Sequence, residues 1–136
     1  MTRCVFVDTS ALYAVLDADD EWHEKAKAAW EKLLSNDEVV LITSNYVLVE
    51  TSALVQRRLG ADALRTLHCD VLPAMEIVWL TEDVHRAATA AVLVAGKRGV
   101  SLVDCTSFEV MRRSGISECL AFDQHFTEQG FAMSGD

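Results

Sequence analysis

At 136 residues with one Pro and six Gly, the chain has the size of one domain, and 51% hydrophobic residues supply apolar material for a single core. That composition excludes a disordered chain, a collagen-like repeat and a turn-rich small β fold. Twelve basic against 21 acidic residues leave a formal net charge of -9. The charge excludes a protein that holds nucleic acid or anionic membrane by bulk electrostatics, while leaving room for a local basic patch.

The chain begins with a short apolar run, residues 3–8 (RCVFVD), that ends abruptly in a carboxylate. A continuous run without polar alternation predicts a strand covered on both faces, as in a parallel sheet. Residues 9–17 read as a short helix, followed by a polar break at 17–20. Over 20–35, Trp22, Ala26, Ala29, Trp30, Leu33 and Leu34 recur at helical spacing, with Asp19, Asp20 and Glu21 at the dipole's positive end. A second buried strand is expected at 39–42 (VVLI). Thr43, Ser44 and Asn45 then offer N-cap chemistry for a helix running to Leu59 and stopping at Gly60. A further helix over 61–72 is ended by Pro73. Residues 76–80 (EIVWL) form a third strand, and 81–83 open a helix that ends near Gly96. Ser101 starts another helix through Arg113, stopped by Gly115. Residues 118–122 (ECLAF) make a fourth strand, again followed by a carboxylate, Asp123, and a last short strand is expected at 131–133.

Strands alternating with helices predict a single α/β domain over 1–136, with a central, mainly parallel sheet of four to five strands flanked by helices. There is no repeat or linker. Only Arg3 precedes the apolar start, which breaks at Asp8, so no signal peptide is read. The small-apolar stretch 87–95 is too short to span a bilayer, and no membrane association is expected. Cys4, Cys69, Cys105 and Cys119 form no CxxC pair and read as reduced thiols of a cytoplasmic protein.

In open parallel sheets, sites form beyond the carboxyl ends of the strands. Asp8 and Asp123 occupy such positions, Asp104 falls in the first turn of a helix, and Glu50 lies in the second turn of the helix after strand two. Glu50 has no charged residue at helical spacings of three or four, its neighbours being Tyr46, Val47, Ala53 and Leu54. Each acid also has a local explanation. Asp8 suits an N-cap, Ser101 and Asp104 suit a capping box, Asp123 suits a turn, and Glu50 has Arg57 or Arg98 as possible partners. Convergence on one sheet edge has a single cause instead: a divalent cation, without which clustered carboxylates repel one another. Oxygen donors alone favour Mg²⁺ or Mn²⁺ over zinc. Such a set serves nuclease, phosphatase or phosphotransfer chemistry.

Four segments then carry a resemblance: FVDTSALYAVLD at 6–17, TSNYVLVETSALVQRRLG at 43–60, SLVDCTSFEVMRRSGI at 101–116 and AFDQHF at 121–126. In order and spacing they resemble the PIN-domain nucleases, and among these the VapC toxins of VapBC toxin–antitoxin pairs. The resemblance covers essentially the whole chain. It implies an α/β/α domain, Mg²⁺- or Mn²⁺-dependent endoribonuclease activity on RNA, a homodimer, and a small VapB-type antitoxin as partner. The family's acidic set falls on Asp8, Glu50, Asp104 and Asp123 in this sequence, its small hydroxyl on Thr9 or Ser10, and the hydroxyl after the third acid on Thr106. The position after Asp123, often basic in the family, is Gln124.

Basic groups for RNA are sought in Arg57, Arg58 and Arg65, in Lys97 with Arg98, and in Arg112 with Arg113, with Arg57 foremost because it shares a helix face with Glu50. Arg112 and Arg113 suit a helix C-terminus equally well. His125 lies within reach of Asp123, whereas His23, His68 and His85 read as helix-surface residues, and Trp22, Trp30 and Trp79 as packing. A receiver domain needs a second acid after Asp8 and a Lys near Asp123, and a haloacid-dehalogenase-type phosphatase needs an Asp at position 10. None is present. An inert PIN-like module binding RNA or protein is the non-enzymatic alternative.

Overall fold

A computed structural model describes residues 2–96 and 98–134. In chain order these form β1 (Arg3–Val7), α1 (Thr9–Leu16), α2 (His23–Leu34), β2 (Val39–Ser44), α3 (Asn45–Leu59), α4 (Ala61–Thr66), β3 (Glu76–Val78), α5 (Glu82–Ala95), α6 (Leu102–Ser114), β4 (Glu118–Leu120), α7 (Gln124–Glu128) and β5 (Ala132–Met133). The strands make one five-stranded sheet in the order β3-β2-β1-β4-β5, and every pairing is parallel. The expected α/β architecture holds. Val5, Phe6 and Val7 of β1 are fully buried, as the central strand of a sheet covered on both faces requires.

The topology decides where a site can form. From β1 the chain crosses to β2 and then β3 on one side, and later returns to place β4 on β1's other side. Beyond the carboxyl ends of β1 and β4 the crossovers diverge, opening the crevice in which α/β sheets bind ligands. Asp8 and Asp123 stand at that edge.

Local chemistry explains most boundaries. The Ser44 hydroxyl accepts the Val47 N–H at the start of α3, Thr81 does the same for α5, and Ser101 for α6. Gly96 and Gly115 end α5 and α6 in the left-handed region, at φ of 54° and 68°, a conformation that favours Gly. Several boundaries differ from expectation. The second long helix starts at His23 rather than residue 20, because Asp20 Oδ1 accepts the Trp22 N–H at 2.9 Å and folds 20–22 into a turn. The helix expected over 61–72 is α-helical only to Thr66. It widens into a π-type turn at Leu67–Val71 and tightens to a 3₁₀ turn at Leu72–Ala74, where Pro73 occupies an early position that needs no N–H donor. The strands expected to reach 80 and 122 end at Val78 and Leu120.

The four cysteines are free: Cys105 and Cys119 are buried, Cys4 is half-buried and Cys69 is exposed. Burial pushes the Cys119 thiol up to about 12, so it acts as a small apolar group. Among the described residues, no helix is long and apolar enough to cross a membrane.

Candidate active site

Asp8 follows the last residue of β1, and its backbone is clamped from two sides. Its N–H donates to Leu120 O at 3.0 Å, and the Thr43 hydroxyl donates to the preceding carbonyl, Val7 O, at 2.9 Å. Its side chain is divided in role. Oδ2 accepts the Ser10 N–H at 3.1 Å and the Ser10 hydroxyl at 2.7 Å, capping α1. Oδ1 is buried and has no hydrogen-bond partner among the described residues. Burial drives the pKa up to about 7. The Ser10 hydroxyl opposes this, and the nearby charges of Asp104 and Glu50 add to it.

Asp104 is held by a complete capping box. Its N–H donates to Ser101 Oγ at 3.0 Å, and Ser101 N–H donates back to Asp104 Oδ2 at 3.1 Å. Its pKa is also raised, first by burial and then by the charges of Asp123 and Glu50, against the Ser101 N–H bond. Asp123 caps α7, with Oδ1 accepting the His125 N–H at 2.9 Å. Three of the four acids therefore spend one oxygen on a helix start and keep the other. Capping, which stands as an alternative to a site role in the sequence, therefore leaves a second carboxylate oxygen on the same side chain.

Glu50 lies half-buried on α3, on the wall of a shallow cavity with Tyr46, Val49 and, from α6, Val103. Among the described residues no ion pair joins it to Arg57 or Arg98. The mutual charge effects link all four acids through Asp104.

Of the hydroxyls, Ser10 is the one bonded to a candidate acid. Besides holding Asp8, its Oγ accepts the Phe122 N–H at 2.9 Å, so one side chain ties the end of β1 to the loop carrying Asp123. Thr9 is buried and its Oγ1 accepts the Thr51 hydroxyl at 2.9 Å, joining α1 to α3. Thr106 is fully buried and donates to Val103 O at 2.6 Å inside α6. These two threonines pack the scaffold. Arg58 sits with its guanidinium 5.6 Å from the Tyr13 ring centroid, toward the end of α1 away from Asp8. Arg57 and Arg98 are exposed, and Lys97 lies outside the described residues. His23, read as a surface residue, is half-buried, with Nδ1 2.7 Å from Ala14 O.

The donor set suits a hard cation. Four carboxylates with no Cys or His match the preferences of Mg²⁺ or Mn²⁺, and the orphaned Asp8 Oδ1 is the polar atom such an ion would satisfy. Among the described residues no three acid, His or Cys side chains already stand arranged to hold an ion. The fit is therefore one of donor chemistry and the orphaned oxygen, with the side chains left to close around the ion.

The PIN domain family model matches residues 5–132. The chain belongs to the PIN domain family. Within it, the 23S rRNA-specific endonuclease VapC20 of Mycobacterium tuberculosis is 38% identical over 130 residues, covering 93% of this chain and 95% of that protein. The crystal structure of VapC20, described as a sarcin–ricin loop cleaving toxin, superposes with a TM-score of 0.83 at 36% identity, covering 94% and 96% of the two chains. VapBC2 of Rickettsia felis, bound to a DNA fragment from its promoter, shares the fold at 11% identity and a TM-score of 0.70, with 96% of each chain covered. The resemblance to VapC holds.

In this PIN domain the buried Thr9–Thr51 hydrogen bond fastens the helix that Asp8 caps. Thr51→Val is expected to lower stability by about 1–2 kcal/mol, because it strips the donor from a buried acceptor. A urea denaturation midpoint shifted down with unchanged slope is the check.

Proposed function

We propose that this PIN domain is a Mg²⁺- or Mn²⁺-dependent endoribonuclease and the toxin of a toxin–antitoxin pair. The observation that carries the reading is the unpartnered Asp8 Oδ1, buried at the sheet's switch point beside the charges of Asp104 and Glu50, with Asp123 acting in turn on Asp104. An unpaired buried carboxylate costs several kcal/mol, a cost a cation at the site removes. The similarity to VapC20 over nearly the whole chain supports RNA as substrate, and the sarcin–ricin loop of 23S rRNA is the first sequence to test.

In this reading Asp8 and Asp104 hold the cation, with one or both of Glu50 and Asp123. A bound Mg²⁺ or Mn²⁺ supplies a lowered pKa for water and neutralises charge on the phosphate. The chain's own groups do the rest. A site carboxylate takes the proton of the attacking water, the water oxygen bonds to phosphorus in line, and the bond from phosphorus to O3′ breaks. O3′ departs with the bonding electron pair and takes a proton from solvent to become a hydroxyl, and the other fragment keeps a 5′-phosphate. Ser10 keeps Asp8 and the Asp123 loop in register throughout, while Arg57 and Arg98 remain exposed for phosphate contact. A VapB-type antitoxin is the expected protein partner. A second copy of this chain is expected to cover apolar side chains that α5 leaves in solvent, Leu93 and Val94.

The test is incubation of purified, partner-free protein with 23S rRNA and total RNA in Mn²⁺ or Mg²⁺, with fragment ends sequenced. Asp104→Asn retains an acceptor for Ser101 and is expected to fold. Its cleavage rate should fall by upward of about a hundredfold, the effect of losing even a ligand's supporting hydrogen bond. EDTA should do the same. Full activity in a folded Asp104→Asn protein would sink the proposal, and no cuts from folded wild type would favour the inert binding module.

A further inference from the structure

We propose that the cleft beside Asp123 is a nucleobase subsite whose floor is the stacked pair Trp22 and Phe122. It rests on the nuclease reading above and locates a base of the bound strand. The cleft, about 660 Å³, is lined by Trp22 and Phe122 together with Asp123, Gln124 and His125. That volume lies within the usual range for small-ligand sites, about 300–1,000 Å³.

The two rings stack at 5.2 Å between centroids with planes only 8° apart. Trp22 is 40% exposed, whereas Trp30 on the helix it precedes is 7% exposed and part of the core. A large aromatic face is thus held out of the core, open to a cleft, and already part of a stack. A nucleobase extends such a stack, since every base offers a π face, and single-stranded RNA is commonly held this way.

The pair is held rigidly, and in register with the acids. On one side, Asp20 Oδ1 accepts the Trp22 N–H, and the next residue, His23, is anchored to Ala14 O. On the other, Phe122 N–H donates to Ser10 Oγ, whose hydroxyl donates to Asp8 Oδ2. A platform residue and the acid with the orphaned oxygen therefore share one serine, and Phe122 is the residue directly before Asp123. A strand whose phosphate meets the acids has its neighbouring base at this wall. Gln124 and His125 bring hydrogen-bonding groups to the same cleft, so the wall has groups to read a base edge as well as its face.

The experiment reads the emission of Trp22 directly. Trp79 is exposed and is replaced by Phe, leaving buried Trp30 as a constant background. Asp104→Asn in the same protein keeps the strand uncut. The probes are short oligoribonucleotides of A, C, G or U in Mg²⁺, beside an abasic ribose-phosphate oligomer of equal length. At least one base-bearing oligomer should quench Trp22 and the abasic one should not. Trp22→Ala should weaken that binding by about tenfold or more, the value of one stacked base, and Trp22→Phe should retain most of it. In protein with Asp104 intact, Trp22→Ala should raise KM for RNA and leave kcat nearly unchanged. Equal quenching by the abasic oligomer, no quenching by any of the four, or a folded Trp22→Phe as impaired as Trp22→Ala would overturn the subsite. The two readings fail separately. Base-dependent quenching in a protein that never cuts RNA overturns the nuclease and keeps the subsite. Cutting that is indifferent to Trp22→Ala in KM and cut position overturns the subsite and keeps the nuclease.

Discussion

Replacing Asp8 with Asn is expected to abolish RNA cleavage while making the metal-free protein more stable above neutral pH, by about 1–2 kcal/mol. The opposite signs follow from the two oxygens of one side chain. Oδ2 accepts two hydrogen bonds from Ser10 and caps α1, and Asn supplies the same acceptor and is an equally good N-cap residue. Oδ1 is buried without a partner, so above its raised pKa of about 7 the folded chain carries an uncompensated charge that the unfolded chain exposes to water. Asn removes that charge and leaves an amide in its place. Because the new N–H₂ also lacks a partner, the gain stays below the full cost of burying a carboxylate. The check is thermal unfolding at pH 8 in EDTA beside an RNA cleavage assay in Mn²⁺. A folded Asp8→Asn protein that is less stable than wild type at pH 8 would remove the electrostatic account of the site.

The second expected result concerns pH and metal together. In EDTA, stability should fall as pH rises from about 5 to about 7.5. The folded-state pKa of Asp8 is raised to about 7 and that of Asp104 is raised as well. A raised carboxylate binds its proton more tightly when folded, so stability is full below the unfolded pKa near 4 and is lost as pH climbs through the folded one. Glu118 and Asp17, whose pKa values are lowered by Arg3 and by the Tyr13 hydroxyl respectively, act the other way. They cost stability only at acid pH, below the chosen window. The loss should be on the order of 3 kcal/mol, or roughly 10 °C in Tm. On the proposed reading, saturating Mn²⁺ should bind the deprotonated acids of the folded chain and flatten the slope, raising Tm most at the alkaline end. Calorimetry across pH with and without Mn²⁺ measures both. A metal-free Tm that rises through the window, or Mn²⁺ that shifts Tm equally at every pH, would contradict the linkage.

Much of the fold was legible because it is written by near neighbours. The apolar runs at 3–8 and 39–42 carry no polar alternation, and buried parallel strands are the structure that tolerates this. Ser44, Thr81 and Ser101 announce helix starts, and Gly60, Gly96 and Gly115 announce ends, through hydrogen bonds that reach only a few residues. Where local chemistry offers a rival, boundaries slip. Asp20 turned residues 20–22 into a bend instead of a first helical turn. Pro73 fell inside a 3₁₀ turn rather than ending an α-helix, because a proline in the first turn forfeits no hydrogen bond.

The four acids were legible as a set, since strand-end position and the bare surroundings of Glu50 are properties of the sequence. Which oxygen of each is free was not. Asp8, Asp104 and Asp123 each satisfy a capping pattern, and only the packed structure shows that one oxygen does the capping while another, on Asp8, is sealed from water without a partner. The same limit applies to the hydroxyls. Thr9, Ser10 and Thr106 are alike on paper, yet Thr9 meets Thr51 across two helices and Ser10 meets Phe122 across the sheet. Trp22 read as packing because its spacing matches Trp30. Its ring instead lies on Phe122, a residue a hundred positions away.

By itself, then, the sequence determined the alternation of strands and helices, the caps, the acidic residues and the family, because each depends on residue type and short-range spacing. The tertiary structure alone decided the strand order β3-β2-β1-β4-β5. That order puts Asp8 and Asp123 on one crevice, strands Asp8 Oδ1 away from water, and lays Trp22 on Phe122. These depend on which crossovers pass on which side of the sheet, and on the burial they impose on atoms that local spacing leaves equivalent.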